Sequence, residues 1–230
     1  MKNDKLLIFD LDGTLIDTRK DIVRAVNLTL DKLGFPRCGF EEIISRVGYG
    51  PGQLILKCIH RQLEPEDQEK AKKTFSRVYQ ENLIEDSDFF PGMKALLKSL
   101  NTFNKAIVTN KSTPHLKKTL HILQGKDYFD LYQGIDENNP PKPDPAVTLK
   151  IMRTLKIDPQ DTLFIGDSEI DLQTGKNAGV KTCGVLWGYR SRKELARENP
   201  DYLVENIARL KELILTSSRP RMGFLASEEV

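Results

Sequence analysis

The sequence is short of the residues that staple or metallate small folds. Across 230 residues it has three cysteines, Cys38, Cys58 and Cys183. They are far apart, odd in number and without a CxxC pair, which argues against a disulfide framework or a structural zinc site and leaves them as small apolar residues. The three histidines, His60, His115 and His121, lack metal-ligand spacing among themselves and receive no role. The single tryptophan, Trp187, reads as core. No apolar run approaches the ~18 residues needed to cross a membrane, and the first residues lack the long apolar segment of a signal peptide. The cytoplasm is the expected location. Charge of either sign is not in excess: 35 Lys and Arg against 33 Asp and Glu give +2. Both signs are interspersed along helix-like segments, so neither a nucleic acid nor a membrane is an expected partner. Repeats and low-complexity tracts are missing, and an apolar content of 39% is that of an ordinary globular chain of one domain or two unequal ones.

What is present is an alternation. Short apolar runs at 6–9, 106–108, 163–165, 185–187 and 202–204 fit strands covered on both faces, and helical patterns at 91–100, 114–123, 145–155, 169–178 and 206–215 lie between them. That order predicts an α/β fold, a doubly wound, Rossmann-like parallel sheet whose site lies at the C-terminal strand ends. Residues 18–87 break the alternation. Stripes of Ile22, Val26, Leu30 and Leu33, of Ile55 and Ile59, and of Ala71, Phe75, Val78 and Asn82 or Leu83 predict about four helices. Stops are expected at Gly34–Pro36 and at Glu64–Pro65. The expected division is a core of 1–17 and 88–230 with a helical insert of 18–87, and a mobile tail from Ser217.

The chemistry clusters where the runs end. KLLIFDLDGTLIDT places Asp10 and Asp12 at the end of the first strand, with Gly13 allowing a close turn that frees backbone N–H groups for an anion. Asp17 and Asp21 read instead as acids capping local turns. VTN, 108–110, ends a second strand in Thr109 and Asn110, both able to bond phosphate oxygens. PPKPDP, 140–145, fixes Lys142 among four prolines, and FIGDSEID, 164–171, ends another strand in Asp167 with Asp171 one helical turn later. Each stretch alone has an ordinary explanation, such as a solvated lysine or acids at a helix N-terminus. Their joint occurrence in this order does not.

On these residues the chain resembles the haloacid dehalogenase superfamily, over residues 1 to about 215, with DLDGT, Thr109, Lys142 and GDSEID similar to its four motifs. The helical insert directly after the first motif and the TNK at 109–111 resemble the phosphoglycolate phosphatase-like branch, in which the insert is a cap. The resemblance implies a Mg²⁺-dependent phosphatase acting on a small phosphorylated metabolite, with 2-phosphoglycolate the leading substrate. Asp10 is then the nucleophile, Asp12 the general acid and base, and Lys142 the balancing cation, with Thr109, Asn110 and Gly13 around the phosphate. The implied metal set is Asp10, Asp12 through its backbone carbonyl, and Asp167, with Asp171 in support through water or hydrogen bonds. An unperturbed Asp titrates near ~3.9, so Asp12 needs an environment that raises it. By the same resemblance Asp12 disfavours dehalogenase and phosphonatase readings, since those relatives lack this second acid.

Substrate choice is expected in the cap. RVGYGPG, 46–52, reads as a specificity loop presenting Arg46, Gly48, Tyr49 and Gly50, or as a plain helix-linking turn. Arg19 and Lys20 read as solvated. The rival activities are inorganic pyrophosphatase, nucleotide monophosphatase and, lower, a sugar phosphomutase. A phospho-ligand-binding regulatory module is the non-enzyme alternative, weakened because no catalytic acid is missing. A phospho-accepting receiver does not explain Asp12 or the insert.

Overall fold

A computed structural model describes residues 2–216; the tail expected to be mobile lies outside them. A central parallel sheet is built from β1 (Leu6–Phe9), β4 (Asn104–Ser112), β5 (Leu131–Ile135), β6 (Thr162–Gly166), β7 (Lys181–Val185) and β8 (Tyr202–Val204), in the order β5-β4-β1-β6-β7-β8. The α/β doubly wound class is therefore the observed one. β1 lies between β4 and β6, with Phe9 level with both Ile107 and Ile165.

The continuous apolar run of β1 has a simple cause. Leu7 and Phe9 enter one core with Ile107, Ile165, Met93, Leu116 and Leu210, while Leu6 and Ile8 enter the other with Ala106, Val108, Phe164, Val147 and Ile151. Successive side chains point to opposite faces, so a strand buried on both must be apolar throughout. The first core is covered by α5 (Met93–Ser99), α6 (Thr113–Ile122) and α10 (Ile207–Thr216), and the second by α7 (Ala146–Leu155). Between β6 and β7 runs α8 (Glu169–Asn177), and α9 (Arg192–Arg197) precedes β8.

Two strand expectations need correction. The run expected at 185–187 is strand over Lys181–Val185. Gly184 gives room to the Leu203 side chain, whose Cδ2 would lie 2.7 Å from a Cβ there, and that glycine with Lys181 dilutes the apolar signal. β5 reads LYQGI and is only partly buried, as an edge strand can be, so no apolar run marked it.

The helical insert consists of α1 (Arg19–Leu33), α2 (Phe40–Ser45), α3 (Pro51–Cys58) and α4 (Pro65–Glu81). Their apolar stripes form a separate core that includes Ile22, Val26, Leu30, Ile55, Phe75 and Val78. α1 ends at Gly34, whose φ of +73° permits the left-handed cap that bonds back to Asp31 and Leu30. The insert leaves and re-enters the core through a two-residue antiparallel ribbon, β2 (Ile16–Asp17) with β3 (Asp88–Phe89). Fully buried Asp21 does more than cap a turn: it accepts from the backbone N–H groups of Glu85, Asp86 and Ser87 and from the Ser87 hydroxyl, tying α1 to the returning chain.

Candidate active site

The sheet brings three sequence-distant segments to one point. Asp10 follows β1, its N–H bonded to Ile165 O at 2.9 Å. Thr109, Asn110 and Lys111 end β4, and Asp167 follows β6. Asp10, Asp167 and Asp171 are all buried and offer carboxylate oxygens within 4.8 Å of one another.

Such a cluster is costly without a cation. Lys142 Nζ lies 2.5 Å from Asp171 Oδ1 and 2.7 Å from Asp10 Oδ1. The contact with Asp10 is an ion pair without hydrogen-bond alignment, so Asp10 Oδ1 remains a buried oxygen with no hydrogen-bond donor. Burial, partly offset by Lys142, pushes the Asp10 carboxyl up to about 7. Burial and repulsion from Asp171 and Asp10 push Asp167 up to about 8. Three carboxylates and one ammonium sum to −2, the charge a divalent ion cancels. An all-oxygen donor set is also what Mg²⁺ selects, so the residues present fit that ion.

Local structure holds each acid in place. Asp167 accepts from Thr14 Oγ1 at 2.9 Å and from the Tyr189 N–H at 2.7 Å. Gly13, at φ +86°, passes so close that a Cβ would stand 2.4 Å from Asp167 Oδ2; the turn needs glycine for both conformation and space. Asp171 is the third helical residue of α8 and closes a capping box with Ser168. Its two oxygens are thus taken by Lys142 on one side and by Ser168 N and Oγ on the other.

Asp12 stands apart from the trio. Its carboxylate accepts from Lys111 Nζ at 2.9 and 3.0 Å, and the same ammonium donates to Tyr79 Oη at 2.5 Å. Burial pushes the Tyr79 phenol up to about 12. Beside it, burial together with Lys111 pushes the His115 imidazole down to about 4. Sequence reasoning gives Lys111, Tyr79 and His115 no role. No local signal marked them, because their meeting depends on α4 lying across the mouth of the sheet.

A cavity between insert and core is lined on the core side by Asp10, Asp12, Thr109, Lys111 and Lys142, and on the insert side by apolar groups including Ile22, Leu54 and Phe75. Of the cap-loop residues, Gly48 and Gly50 line it, with Val47 and Pro51 beside them. Arg46 and Tyr49 do not. The Arg46 guanidinium is bound by the Glu42 carboxylate and the Lys57 carbonyl, and Tyr49 is 41% exposed, under Lys57 Nζ and near Glu169. Asn110 is also redirected: its Nδ2 donates to Gly48 O and Lys142 O while its Oδ1 accepts from Lys142 N. Its side chain ties the lysine loop to the cap loop. Arg190, unforeseen, donates to the carbonyls of Val47 and Ile44 and fastens the same loop to the core. Arg19 pairs with Asp17 at the surface, and Trp187 packs on the core with its Nε1 donating to Thr14 O.

The family model for haloacid dehalogenase-like hydrolases matches residues 7–185. The chain belongs to that family. Among this hydrolase's relatives, the phosphoglycolate phosphatase of Aquifex aeolicus is 34% identical over 212 residues, covering 91% of this chain and 96% of that protein. The phosphoglycolate phosphatase of Vibrio vulnificus strain CMCP6 is 32% identical over 222 residues, covering 93% and 97%. The crystal structure of a predicted phosphoglycolate phosphatase from Haemophilus somnus superposes with a TM-score of 0.85 at 26% identity, covering 91% of this chain and 97% of that one. No helix among the described residues of this hydrolase is long and apolar enough to cross a membrane.

Proposed function

We propose that this phosphatase hydrolyses a small anionic phosphate monoester, 2-phosphoglycolate foremost, through an aspartyl phosphate on Asp10, in the cytoplasm and with Mg²⁺. The observation that carries the reading is the pairing of two buried lysines with two acids across one cavity: Lys142 with Asp10, and Lys111 with Asp12. One lysine serves the transferring phosphoryl group. The other, its three donors held by Asp12 and Tyr79, places a positive charge in the cavity wall where a second anionic group on the same small molecule would lie.

Asp10 attacks phosphorus, forming the carboxyl O–P bond as the ester P–O bond breaks. Asp12 gives its proton to the departing alkoxide, then takes one from the water that attacks the aspartyl phosphate, releasing phosphate and regenerating Asp10. Thr109 and the backbone N–H groups after Asp10 hold the equatorial oxygens, and Lys142 offsets their charge. Asp10 and Asp167, with the Asp12 carbonyl, are the residues that would hold Mg²⁺, and Asp171 steadies them through Lys142. The ion, when bound, supplies positive charge at the phosphoryl oxygens. Residues 18–87 act as the cap, and the apolar groups they contribute exclude water from the site.

The test is Mg²⁺-dependent phosphate release from 2-phosphoglycolate, pyrophosphate, nucleotides and sugar phosphates. Preferential turnover of 2-phosphoglycolate, abolished by chelation and by Asp10→Asn, is expected. Preference for pyrophosphate or a nucleotide overturns the substrate, and release that survives in Asp10→Asn overturns the mechanism.

A further inference from the structure

A second cluster of metal-ligating side chains lies in the helical insert, and none of its members lines the catalytic cavity. Cys38 sits just before α2, Glu42 is in the first turn of α2, and His60 follows α3. Cys38 Sγ is 3.6 Å from His60 Nε2, and that same nitrogen is 2.9 Å from Glu42 Oε1. All three donor atoms fall within 4.8 Å of one another. From these distances we propose that Cys38, Glu42 and His60 form a binding site for a thiophilic divalent cation, zinc by preference, distinct from the oxygen-lined catalytic centre.

The sulfur and nitrogen already stand at the separation the ion sets. Bonds of ~2.3 Å to sulfur and ~2.05 Å to imidazole nitrogen, set at a tetrahedral angle, put the two ligand atoms ~3.5 Å apart. The observed sulfur to nitrogen separation is 3.6 Å. The nitrogen to oxygen separation has to open from 2.9 Å to ~3.4 Å by the same construction, a small rotation for Glu42. Arg46 now shares Glu42 Oε1 at 2.8 Å; a carboxylate has a second oxygen, so Arg46 keeps a partner when Oε1 turns to the metal.

Donor chemistry separates the two centres. A thiolate with an imidazole selects zinc and other soft or borderline ions, whereas Mg²⁺ prefers oxygen alone. Cys38 is buried at 6% exposure while the His60 side chain is 57% exposed, which gives the ion a route from solvent and leaves a fourth position for water. Burial and the Glu42 carboxylate push the Cys38 thiol up, so metal binding expels one proton from that thiol and tightens as pH rises. The bound ion would join the segment entering α2 to the segment leaving α3, bracing the hairpin that carries the cap loop.

Cobalt provides the test on the reduced full-length chain in excess Mg²⁺. Co²⁺ is expected to give a thiolate-to-cobalt charge-transfer band, displaced by one equivalent of Zn²⁺; oxygen ligands at the catalytic centre give no such band. Cys38→Ser removes the band. His60→Gln, at an exposed position, weakens Co²⁺ binding by more than ~100-fold, beyond the 10- to 100-fold that losing an outer-shell partner costs, and leaves phosphate release at the wild-type rate. Zn²⁺ raises the melting temperature of the wild type and not that of His60→Gln. A wild-type chain with no charge-transfer band overturns the proposal, as does a band that survives in Cys38→Ser or unaltered affinity in His60→Gln.

Discussion

Replacing Lys111 with methionine keeps most of the length of the side chain and removes its charge. In the wild type the ammonium satisfies both oxygens of Asp12 and the Tyr79 hydroxyl, with its side chain 2% exposed against 14% for Asp12. Removing one member of a buried pair costs ~3–5 kcal/mol because the other is stranded. Asp12 keeps some contact with water, so the low end, ~3 kcal/mol, is expected in denaturant unfolding. For catalysis, a lost hydrogen bond to a charged group is worth ~1.5–3 kcal/mol, or a roughly 10- to 100-fold fall in kcat/KM. The fall should be steeper for 2-phosphoglycolate than for an alkyl phosphate without a carboxylate, since Lys111 is assigned to the second anionic group. Unchanged kcat/KM on both esters, with an unchanged unfolding midpoint, would refute the role given to Lys111. An equal loss on both esters would confine Lys111 to orienting Asp12.

Asp10 and Asp167 titrate in the folded protein at about 7 and about 8, against 3.8 unperturbed. The metal-free fold is therefore at its full stability below the unperturbed value and loses stability as pH rises through 7 to 8, because the unfolded chain gives up those protons first. Mg²⁺ should stabilise the protein more at about pH 8 than at about pH 5, measured by melting in metal and in chelator; an equal gain at both refutes the carboxylate assignment. Gly13→Ala forces a Cβ to 2.4 Å from Asp167 Oδ2 at a φ of +86°, so Mg²⁺-dependent turnover is expected to vanish, with ~1–3 kcal/mol of backbone strain visible in unfolding; wild-type turnover contradicts this. His115 is held neutral down to about 4, below the ~6.5 of an exposed imidazole, so its stabilising contribution is present above that ordinary value and lost as pH falls toward 4. His115→Gln should flatten the acid side of the stability profile over that range, and an unchanged profile places the acid sensitivity elsewhere.

Strands that end in acids, a hydroxyl and an amide were legible because a strand buried on two faces must be apolar until it reaches its site. Three helices of the insert, α1, α3 and α4, were legible because each presents an apolar stripe to the core they share, whereas the six-residue α2 is too short to show one. β5 was not legible, because an edge strand satisfies its burial with few apolar residues. The direction of Arg46 was not legible either, since Glu42 and the Lys57 carbonyl compete for it only once α2 and α3 are packed.

The sequence by itself determined the alternating α/β order, the inserted helices and the acids and lysine of the core motifs, all of which follow from local periodicity and from residue type at strand ends. Tertiary structure alone decided that Lys111, Tyr79 and His115 meet at Asp12, that Asn110 and Arg190 hold the cap loop, and that Cys38, Glu42 and His60 converge. Lys111 and Asp12, 99 residues apart, become neighbours only when β4 pairs beside β1, and Tyr79 reaches them only when the insert packs over the sheet. No periodicity within one segment encodes that contact.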